Sequence, residues 1–186
     1  VPDVCHSALY VLGNLEEKVD DSILQQIVSK LEDSNRDTRS ATSKVIGKLK
    51  DKVSDDIFLQ IVSMLENKNI VICSSALLAL GELEEKVDDG ILQKIVSKLE
   101  DEDTDVQGQA LFTFIQLKNK VDSDILQKIV SKLDSKVCCS ALLALGELEE
   151  KADDGILQKI VLKLDDEDAD VRWHALHALV KLKDKI

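Results

Sequence analysis

Residues 76–103 read ALLALGELEEKVDDGILQKIVSKLEDED, and residues 141–168 read ALLALGELEEKADDGILQKIVLKLDDED. The two stretches agree at 25 of 28 positions. The motif Leu-Glu-Glu-Lys-Val within them recurs in variants whose first residues are Leu15, Leu49, Leu83, Leu117, Leu148 and Leu182. These residues are spaced 34, 34, 34, 31 and 34 apart, and a fixed period in this range indicates a stack of supersecondary units.

Each repeat is predicted to hold two amphipathic helices. Residues 20–33 typify the first helix, because their apolar side chains recur at the spacing of a buried stripe. Asp20 is its predicted N-cap, since a carboxylate accepts hydrogen bonds from otherwise unpaired N–H groups. Residues 171–185 typify the second helix, whose stripe contains small alanines. One column of that helix holds Gly13, Gly47, Gly81 and Gly146, and the cost of glycine in a helix predicts a close packing contact there.

The composition favours helices throughout the chain. Its 186 residues are 44% apolar and include only 7 glycines and 1 proline, which is typical of an all-α protein. The interval of 31 residues is assigned to a shortened turn at 133–138, because a deletion inside a helix would rotate its apolar stripe away from the core. A single array over 1–186 is predicted, with a half repeat at 1–19 and full repeats at 20–53, 54–87, 88–121, 122–152 and 153–186.

The chain is acidic, with a formal charge of −12 from 36 acidic and 24 basic residues. Such a surface repels phosphates on average, so no nucleic acid is expected among the partners. No apolar run approaches the roughly 18 residues that a membrane span needs, and no membrane association is expected. The four cysteines lie in apolar helical segments without a CxxC motif, which favours a reducing compartment and predicts a cytoplasmic protein.

Residues 162–182, LKLDDEDADVRWHALHALVKL, place an acidic turn before an Asp-Val-Arg triplet and an Ala-Leu-x-Ala-Leu helix. This pattern resembles the HEAT-repeat family, particularly its short bacterial-type repeats, and the resemblance covers the whole chain. It implies a right-handed α-solenoid of stacked antiparallel helix pairs, a superhelix that binds proteins on a concave face lined by second helices. The arginine of the triplet recurs at Arg39 and is replaced in the other repeats, so the family's Asp–Arg ladder is expected to be mostly absent. The tetratricopeptide family shares the 34-residue period, but its Trp, Gly-Tyr and Pro positions do not recur.

The candidate partner-binding residues lie in second-helix columns that point away from the predicted stripe. These columns vary between repeats, whereas the stripe columns stay Ala, Leu and Val. Solenoids carry specificity on such a surface, and aromatic side chains are frequent anchors of protein interfaces. The candidates are Tyr10, Lys44, Leu78, Phe112, Leu143, Trp173, His174 and His177. The alternative is that the apolar members pack against adjacent helices or fill grooves between repeats.

No catalytic, cofactor or metal site is predicted, and an enzyme is not expected. His174 and His177 share a helix face and can chelate zinc, but the sequence specifies no third ligand. Cys138 and Cys139 are adjacent, which is poor geometry for a metal clamp or a disulfide, and they are interpreted as small buried hydrophobes. No Gly-rich phosphate loop, GxSxG or HExxH motif occurs. Deoxyhypusine hydroxylases, which are HEAT-repeat enzymes, use His-Glu pairs as iron ligands, and this chain has none.

These patterns predict a protein-binding scaffold or adaptor that recognises a protein or peptide on the second-helix face. The alternative is a spacer or regulatory segment of a larger multidomain protein, in which the array transmits geometry. Leu162 stands where other repeats have serine, so either the last repeats pack differently or Leu162 makes an apolar contact with a partner or a second copy. The incomplete terminal repeats leave apolar faces unstacked, which predicts either truncation from a longer array or end-to-end self-association.

Overall fold

The computed structural model describes residues 19–148 and 151–183. The chain divides into two compact units, Val1–Ile95 and Val96–Ile186. Within the described residues there are ten α-helices and no strand. The N-terminal unit contains α1 (Asp21–Val28), α2 (Arg36–Lys48), α3 (Asp55–Ser63) and α4 (Ile70–Gly81), and α5 (Asp89–Ser97) spans the boundary. The C-terminal unit contains α6 (Thr104–Gln116), α7 (Ser123–Ser131), α8 (Cys138–Glu147), α9 (Asp154–Leu162) and α10 (Ala169–Lys181).

The odd-numbered helices are the predicted first helices of the repeats. The Asp20 carboxylate accepts a hydrogen bond from the Ile23 N–H at 2.9 Å, and Asp153 accepts one from Ile156 at 2.8 Å. Each cap is followed by a first turn whose acidic residue lies at the positive end of the helix dipole. A short 3-10 turn extends each of these helices at its carboxyl end. The predicted aspartate cap at Asp20 is therefore confirmed.

The even-numbered helices are the second helices, and most of them also begin at a side-chain cap. Asn35 accepts from the Asp37 N–H at 2.8 Å and Asp103 accepts from the Asp105 N–H at 2.8 Å. Within each unit, successive second helices pack together, α4 against α2 in one unit and α8 against α6 and α10 in the other. Their alanine and leucine stripes are buried with those of the first helices. The prediction of an all-α fold of stacked antiparallel helix pairs is confirmed.

The 31-residue repeat is shortened at the start of its second helix. Three residues separate the 3-10 turn from the second helix both before α6 (101–103) and before α8 (135–137). Helix α8 has 10 residues, whereas α6 and α10 each have 13. Its N-cap residue, Val137, makes no side-chain cap bond, and the Val137 N–H donates instead to the Ser135 hydroxyl at 3.3 Å. The stripe residues Ala141, Leu142 and Leu145 stay buried. The deletion thus removes the start of the second helix with its side-chain cap, without rotating the core face, and the prediction that the residues are missing from the turn is wrong.

Two glycines of the predicted column lie where neighbouring second helices touch. A Cβ atom at Gly47 would lie 2.8 Å from the Glu82 Cβ, and a Cβ at Gly146 would lie 2.9 Å from the Ala178 Cα. Carbon atoms in a packed protein interior do not approach this closely, so a side chain at either position would displace the neighbouring helix. The close packing predicted for the column is confirmed at these two positions.

Lysine–carboxylate pairs link successive repeats within each unit. They join Lys50 to Glu85 at 2.6 Å, Lys132 to Glu100 at 2.7 Å, Lys163 to Asp134 at 2.9 Å and Lys181 to Glu147 at 3.1 Å. The pKa of Lys163 is raised, chiefly because its ammonium group donates a hydrogen bond to Asp134. Ion pairs between a lysine of one repeat and a carboxylate of its neighbour therefore connect successive repeats within each unit.

The arginine of the Asp-Val-Arg triplet closes the turn of its own repeat. An Nη1 group of Arg39 donates to the Asp33 carbonyl at 2.8 Å, and Arg172 donates to the Asp166 carbonyl at 2.8 Å. Gln107 replaces the arginine in another repeat and also donates to a carbonyl of its own turn, at 2.6 Å. In the part of the chain that the structure describes, neither arginine forms an ion pair, in line with the expected loss of the Asp–Arg ladder.

Candidate functional site

The second helices of the C-terminal unit present two exposed aromatic side chains. Phe112 on α6 is 43% exposed, and Trp173 on α10 is 59% exposed. The other candidates of this unit are half-buried. We call the five residues together the second-helix surface: Phe112, Leu143, Trp173, His174 and His177.

The exposure of Phe112 does not result from a missing neighbour. Helix α8 packs beside α6 in the same unit, and the core side chains of α6, including Phe114, are buried. Phe112, Leu143 and His177 occupy the same repeat position on α6, α8 and α10. This position therefore presents an aromatic ring, an aliphatic group and an imidazole on three second helices of one unit.

Trp173 forms a compact ring cluster with the two histidines. The centroids of the Trp173 and His177 rings lie 5.4 Å apart with an interplanar angle of 15°, a stacked arrangement. The His174 ring meets Trp173 edge-on at 4.8 Å and 83°. His174 Nδ1 lies 2.8 Å from the Asp170 carbonyl, which can only accept, so this nitrogen carries the proton. The cluster holds the exposed indole in a fixed orientation.

Two of the remaining candidates lie in the N-terminal unit. Lys44 on α2 is exposed, and Leu78 on α4 is half-buried. They occupy the same repeat position as Phe112 and Leu143. Tyr10 lies outside the described residues.

Gln109 on α6 holds a buried polar atom that the sequence did not indicate. Its side-chain Nε2 is inaccessible and has no hydrogen-bond partner among the described residues. A buried donor without an acceptor costs about 1–3 kcal/mol. Gln109 lies one helical turn before Phe112, so the strained polar group and the exposed ring are neighbours on α6.

Replacing Gln109 with methionine is expected to raise the free energy of unfolding by about 1 kcal/mol, because the unpaired amide is removed while the side-chain length is kept. Urea denaturation followed by circular dichroism measures the change. The matched control is Gln107→Met, which should lower the stability, since the Gln107 amide donates to the Asp101 carbonyl at 2.6 Å. A loss of stability in both variants would mean that the Gln109 amide is paired.

The cysteines of α8 lack the properties of a nucleophile. Burial raises the pKa of the Cys138 thiol. Burial also raises the pKa of Cys139, and the carboxylates of Asp168 and Asp170 raise it further. Both thiols are therefore protonated at neutral pH, whereas nucleophilic chemistry needs the thiolate.

The structure brings no metal-binding group together in the residues that it describes. Among these residues, no three His, Cys, Asp or Glu side chains are placed so that they could hold a metal ion. The Nδ1 of His174 faces the Asp170 carbonyl, which leaves His174 one nitrogen. None of the described helices is both long enough and apolar enough to cross a membrane.

A surface depression of about 270 Å³ lies in the N-terminal unit. It is lined by Lys50, Asp51, Leu83, Glu85 and Lys86. Its lysines are already engaged: Lys50 pairs with Glu85 at 2.6 Å, and Lys86 lies 3.7 Å from Asp55. A depression whose charges are neutralised from within offers little to a charged ligand.

Most of the exposed apolar side chains on the last described helix pair were not predicted from the sequence. Val161, Leu176 and Val180 are exposed there, and only Leu162 had been noted. Leu162 lies outward, as expected for its position. Val161 and Leu176 have the same residue types as Val130 and Leu142, which are buried one repeat earlier, so the residue types alone did not indicate this exposure.

The geometry of helix pairs stacked within each unit defines an α-solenoid of the HEAT and armadillo type. No protein-family model matches the sequence, and no curated protein matches it. Solved structures do match. A structure of the complex of CpcE and CpcF of phycocyanin lyase from Nostoc sp. PCC7120 matches with 18% identity and a TM-score of 0.61, over 87% of this chain and 65% of that chain.

Two further structures extend the comparison. The Mot1 N-terminal domain in complex with TBP matches with 21% identity and a TM-score of 0.65, over 94% of this chain and 27% of that chain. A designed armadillo repeat protein matches with 16% identity and a TM-score of 0.52, over 95% of this chain and 92% of that one. The chain spans less than two thirds of the length of the first two structures. At these identities the likeness establishes the fold, and it confirms the predicted HEAT-type repeat at that level.

Proposed function

We propose that this chain is a non-catalytic scaffold that binds a protein or peptide on the second-helix surface. The observation that carries the proposal is the 43% exposure of Phe112 on a helix with a packed neighbour in its own unit. A large aromatic ring gains free energy when it leaves water, and such rings anchor many protein interfaces. Phe112 therefore serves as an anchor for a partner.

The charges near the second-helix surface indicate the charge of the partner. The turns that lead into α6 and α10 carry exposed carboxylates, among them Glu102, Asp105, Glu167 and Asp170. The whole chain has a charge of −12, so a cationic partner is attracted before contact. The proposed ligand is a segment with an apolar or aromatic anchor flanked by lysine or arginine.

Polar and apolar positions beside Phe112 support the same function. The unpaired Gln109 amide can donate to a carbonyl of the ligand once its side chain rotates. Leu143 and the Trp173–histidine cluster extend the apolar contact along α8 and α10. In the N-terminal unit, Lys44 and Leu78 hold the same repeat positions, and in sequence Tyr10 does as well.

The similar structures provide context for a protein ligand. The Mot1 domain was solved in complex with TBP, and CpcE was solved in complex with CpcF. Partners of this class are what we propose for this chain. The protonated thiols of Cys138 and Cys139 suit a reducing compartment such as the cytoplasm, where we propose that the scaffold acts.

Selection from a random peptide library against the immobilised chain tests this function. The selected peptides are expected to contain an apolar anchor and basic flanks, and to bind with an affinity that falls as salt rises. Phe112→Ser and Trp173→Ser should each weaken the selected peptides at least tenfold in fluorescence anisotropy, because each removes an aromatic anchor. Both positions are exposed, so the thermal melting should change little.

Leu59→Ser is the matched control, since Leu59 is an exposed apolar side chain on a first helix, α3. It should leave peptide affinity unchanged. Peptides that bind Phe112→Ser as tightly as the wild type would contradict the proposed surface. Failure to select any peptide would favour the alternative, in which the repeats act as a spacer in a larger protein.

A further inference from the structure

Gln109 on α6 stands where three other second helices carry a smaller side chain. The same repeat position holds Ala41 on α2, Ser75 on α4 and Ser140 on α8. The Ser75 hydroxyl is satisfied within its own helix, because it donates to the Val71 carbonyl at 2.7 Å. The longer side chain of Gln109 makes no such bond, since its Nε2 atom is buried and has no hydrogen-bond partner among the described residues.

The two glutamines at the start of α6 differ in what their amides do. Gln107 donates its amide to the Asp101 carbonyl at 2.6 Å and so closes the turn of its repeat. The Nε2 atom of Gln109 contributes no hydrogen bond to the part of the chain that the structure describes, and a buried unpaired donor weakens a fold. Local features that cost stability concentrate at functional sites. Gln109 is therefore a candidate for a role in binding.

Gln109 lies beside the proposed anchor of the second-helix surface. Gln109 and Phe112 are three residues apart on α6, so their side chains are neighbours on the helix surface. Phe112 is 43% exposed and Gln109 is half-buried. Rotation of the Gln109 side chain breaks no hydrogen bond at Nε2 among the described residues, and it can bring this donor to a ligand that covers Phe112.

The charges around Gln109 favour a neutral acceptor on the ligand. Asp105 lies four residues before Gln109 and therefore on the same side of α6, and Glu102 lies in the turn that leads into this helix. Both carboxylates are exposed, and they repel an anionic acceptor. A main-chain carbonyl is the neutral acceptor that every peptide provides.

The conformation of a peptide decides whether its carbonyls are free. In a helix, every carbonyl before the last turn accepts from the N–H group four residues on, whereas the carbonyls of an isolated extended segment are unpaired. We infer that the ligand lies on α6 as an extended segment, with its apolar anchor on Phe112 and a neighbouring main-chain carbonyl on the Gln109 amide. This inference rests on the proposed function and adds to it the conformation of the ligand.

Gln109→Met tests the inference with the peptides selected against the wild-type chain. Their binding in fluorescence anisotropy should weaken about tenfold, the effect of one lost hydrogen bond. The urea midpoint should rise, because the unpaired amide is gone. A merely structural role would not combine a loss of affinity with a gain of stability. Gln107→Met is the matched control, which should lower the urea midpoint and leave the affinity unchanged.

Changes in the tightest selected peptide locate the acceptor. Each of its peptide bonds is replaced in turn by an ester, whose carbonyl is a weaker acceptor. One ester next to the anchor should weaken binding to the wild type and to Gln107→Met, and should have little effect on binding to Gln109→Met. This double-mutant cycle isolates the bond between the Gln109 amide and the ligand. Restraining the same peptide as a helix, by a lactam bridge between residues four apart, should abolish binding.

Unchanged affinity in Gln109→Met, for peptides that Phe112→Ser weakens, would overturn the inference and leave the proposed function standing. Esters that act alike on the wild type and on Gln109→Met would do the same, as would tighter binding of the helical peptide. If no peptide is selected, or if Phe112→Ser binds the peptides as tightly as the wild type, the proposed function and the inference fail together.

Discussion

Replacing Phe114 with alanine is expected to lower the free energy of unfolding of the C-terminal unit by about 3–5 kcal/mol. Phe114 is fully buried on α6, among the largest side chains of the core. Its removal forfeits the transfer free energy of the ring and leaves a cavity that the surrounding side chains cannot fill. Urea denaturation followed by the fluorescence of Trp173, the single tryptophan, reports on the unit that contains both residues.

Phe112→Ala is the matched control, because it removes the same ring from the same helix two residues earlier. Phe112 is 43% exposed, whereas Phe114 is fully buried, so the loss of Phe112 should cost much less, about 1 kcal/mol. The pair therefore tests which face of α6 is the core. Equal losses in the two variants would show that Phe112 packs between helices, and the second-helix surface would lose its anchor.

The helices and their buried faces could be predicted because the same apolar pattern recurs in each repeat of the chain. Leu24, Phe58, Leu92 and Leu126 occupy one stripe position, and all four are buried. Each helix also follows the local rule that a buried stripe recurs every three or four residues. Comparison between repeats then predicted that Phe114 lies in the core and Phe112 does not. Phe114 falls in a stripe column, whereas Phe112 falls in a variable column.

The exposure of Val161 could not be read from the same columns. Val130 and Val161 are identical residues at identical repeat positions, yet one is buried and the other is exposed. Burial of a stripe depends on what packs against it, and no property of the residue itself carries that information. Trp173 is also exposed. It occupies a variable column, and it lies in the last described repeat.

The start of α8 is a second feature that the repeat pattern did not predict. The sequence predicted that the three missing residues belong to the turn, whereas the structure lacks them at the start of α8, and the helix stripes on either side keep their register. The cap was lost with them, because Val137 occupies the place where Asn35 or Asp103 caps another second helix. Helix α8 is three residues shorter than α6 and α10, which accounts for all three residues missing from the repeat.

Replacing Gly146 with valine is expected to lower the free energy of unfolding by about 2–3 kcal/mol. Even the first added atom, a Cβ, would lie 2.9 Å from the Cα and 3.3 Å from the Cβ of Ala178 on α10. The obstacle is backbone, so no side-chain rotation relieves it, and α8 and α10 must separate. Valine is informative because Val180 occupies the same column in the last repeat, where it is exposed. The measurement is urea denaturation followed by circular dichroism.

Gly90→Ala is the matched control for the intrinsic effect of losing a glycine from a helix. A Cβ at Gly90 would meet only the capping Asp88 carboxylate, at 3.4 Å, so alanine should be neutral or stabilise the protein by up to about 1 kcal/mol. If Gly146→Val is tolerated as well as Gly90→Ala, then α8 and α10 do not pack as closely as their backbones indicate.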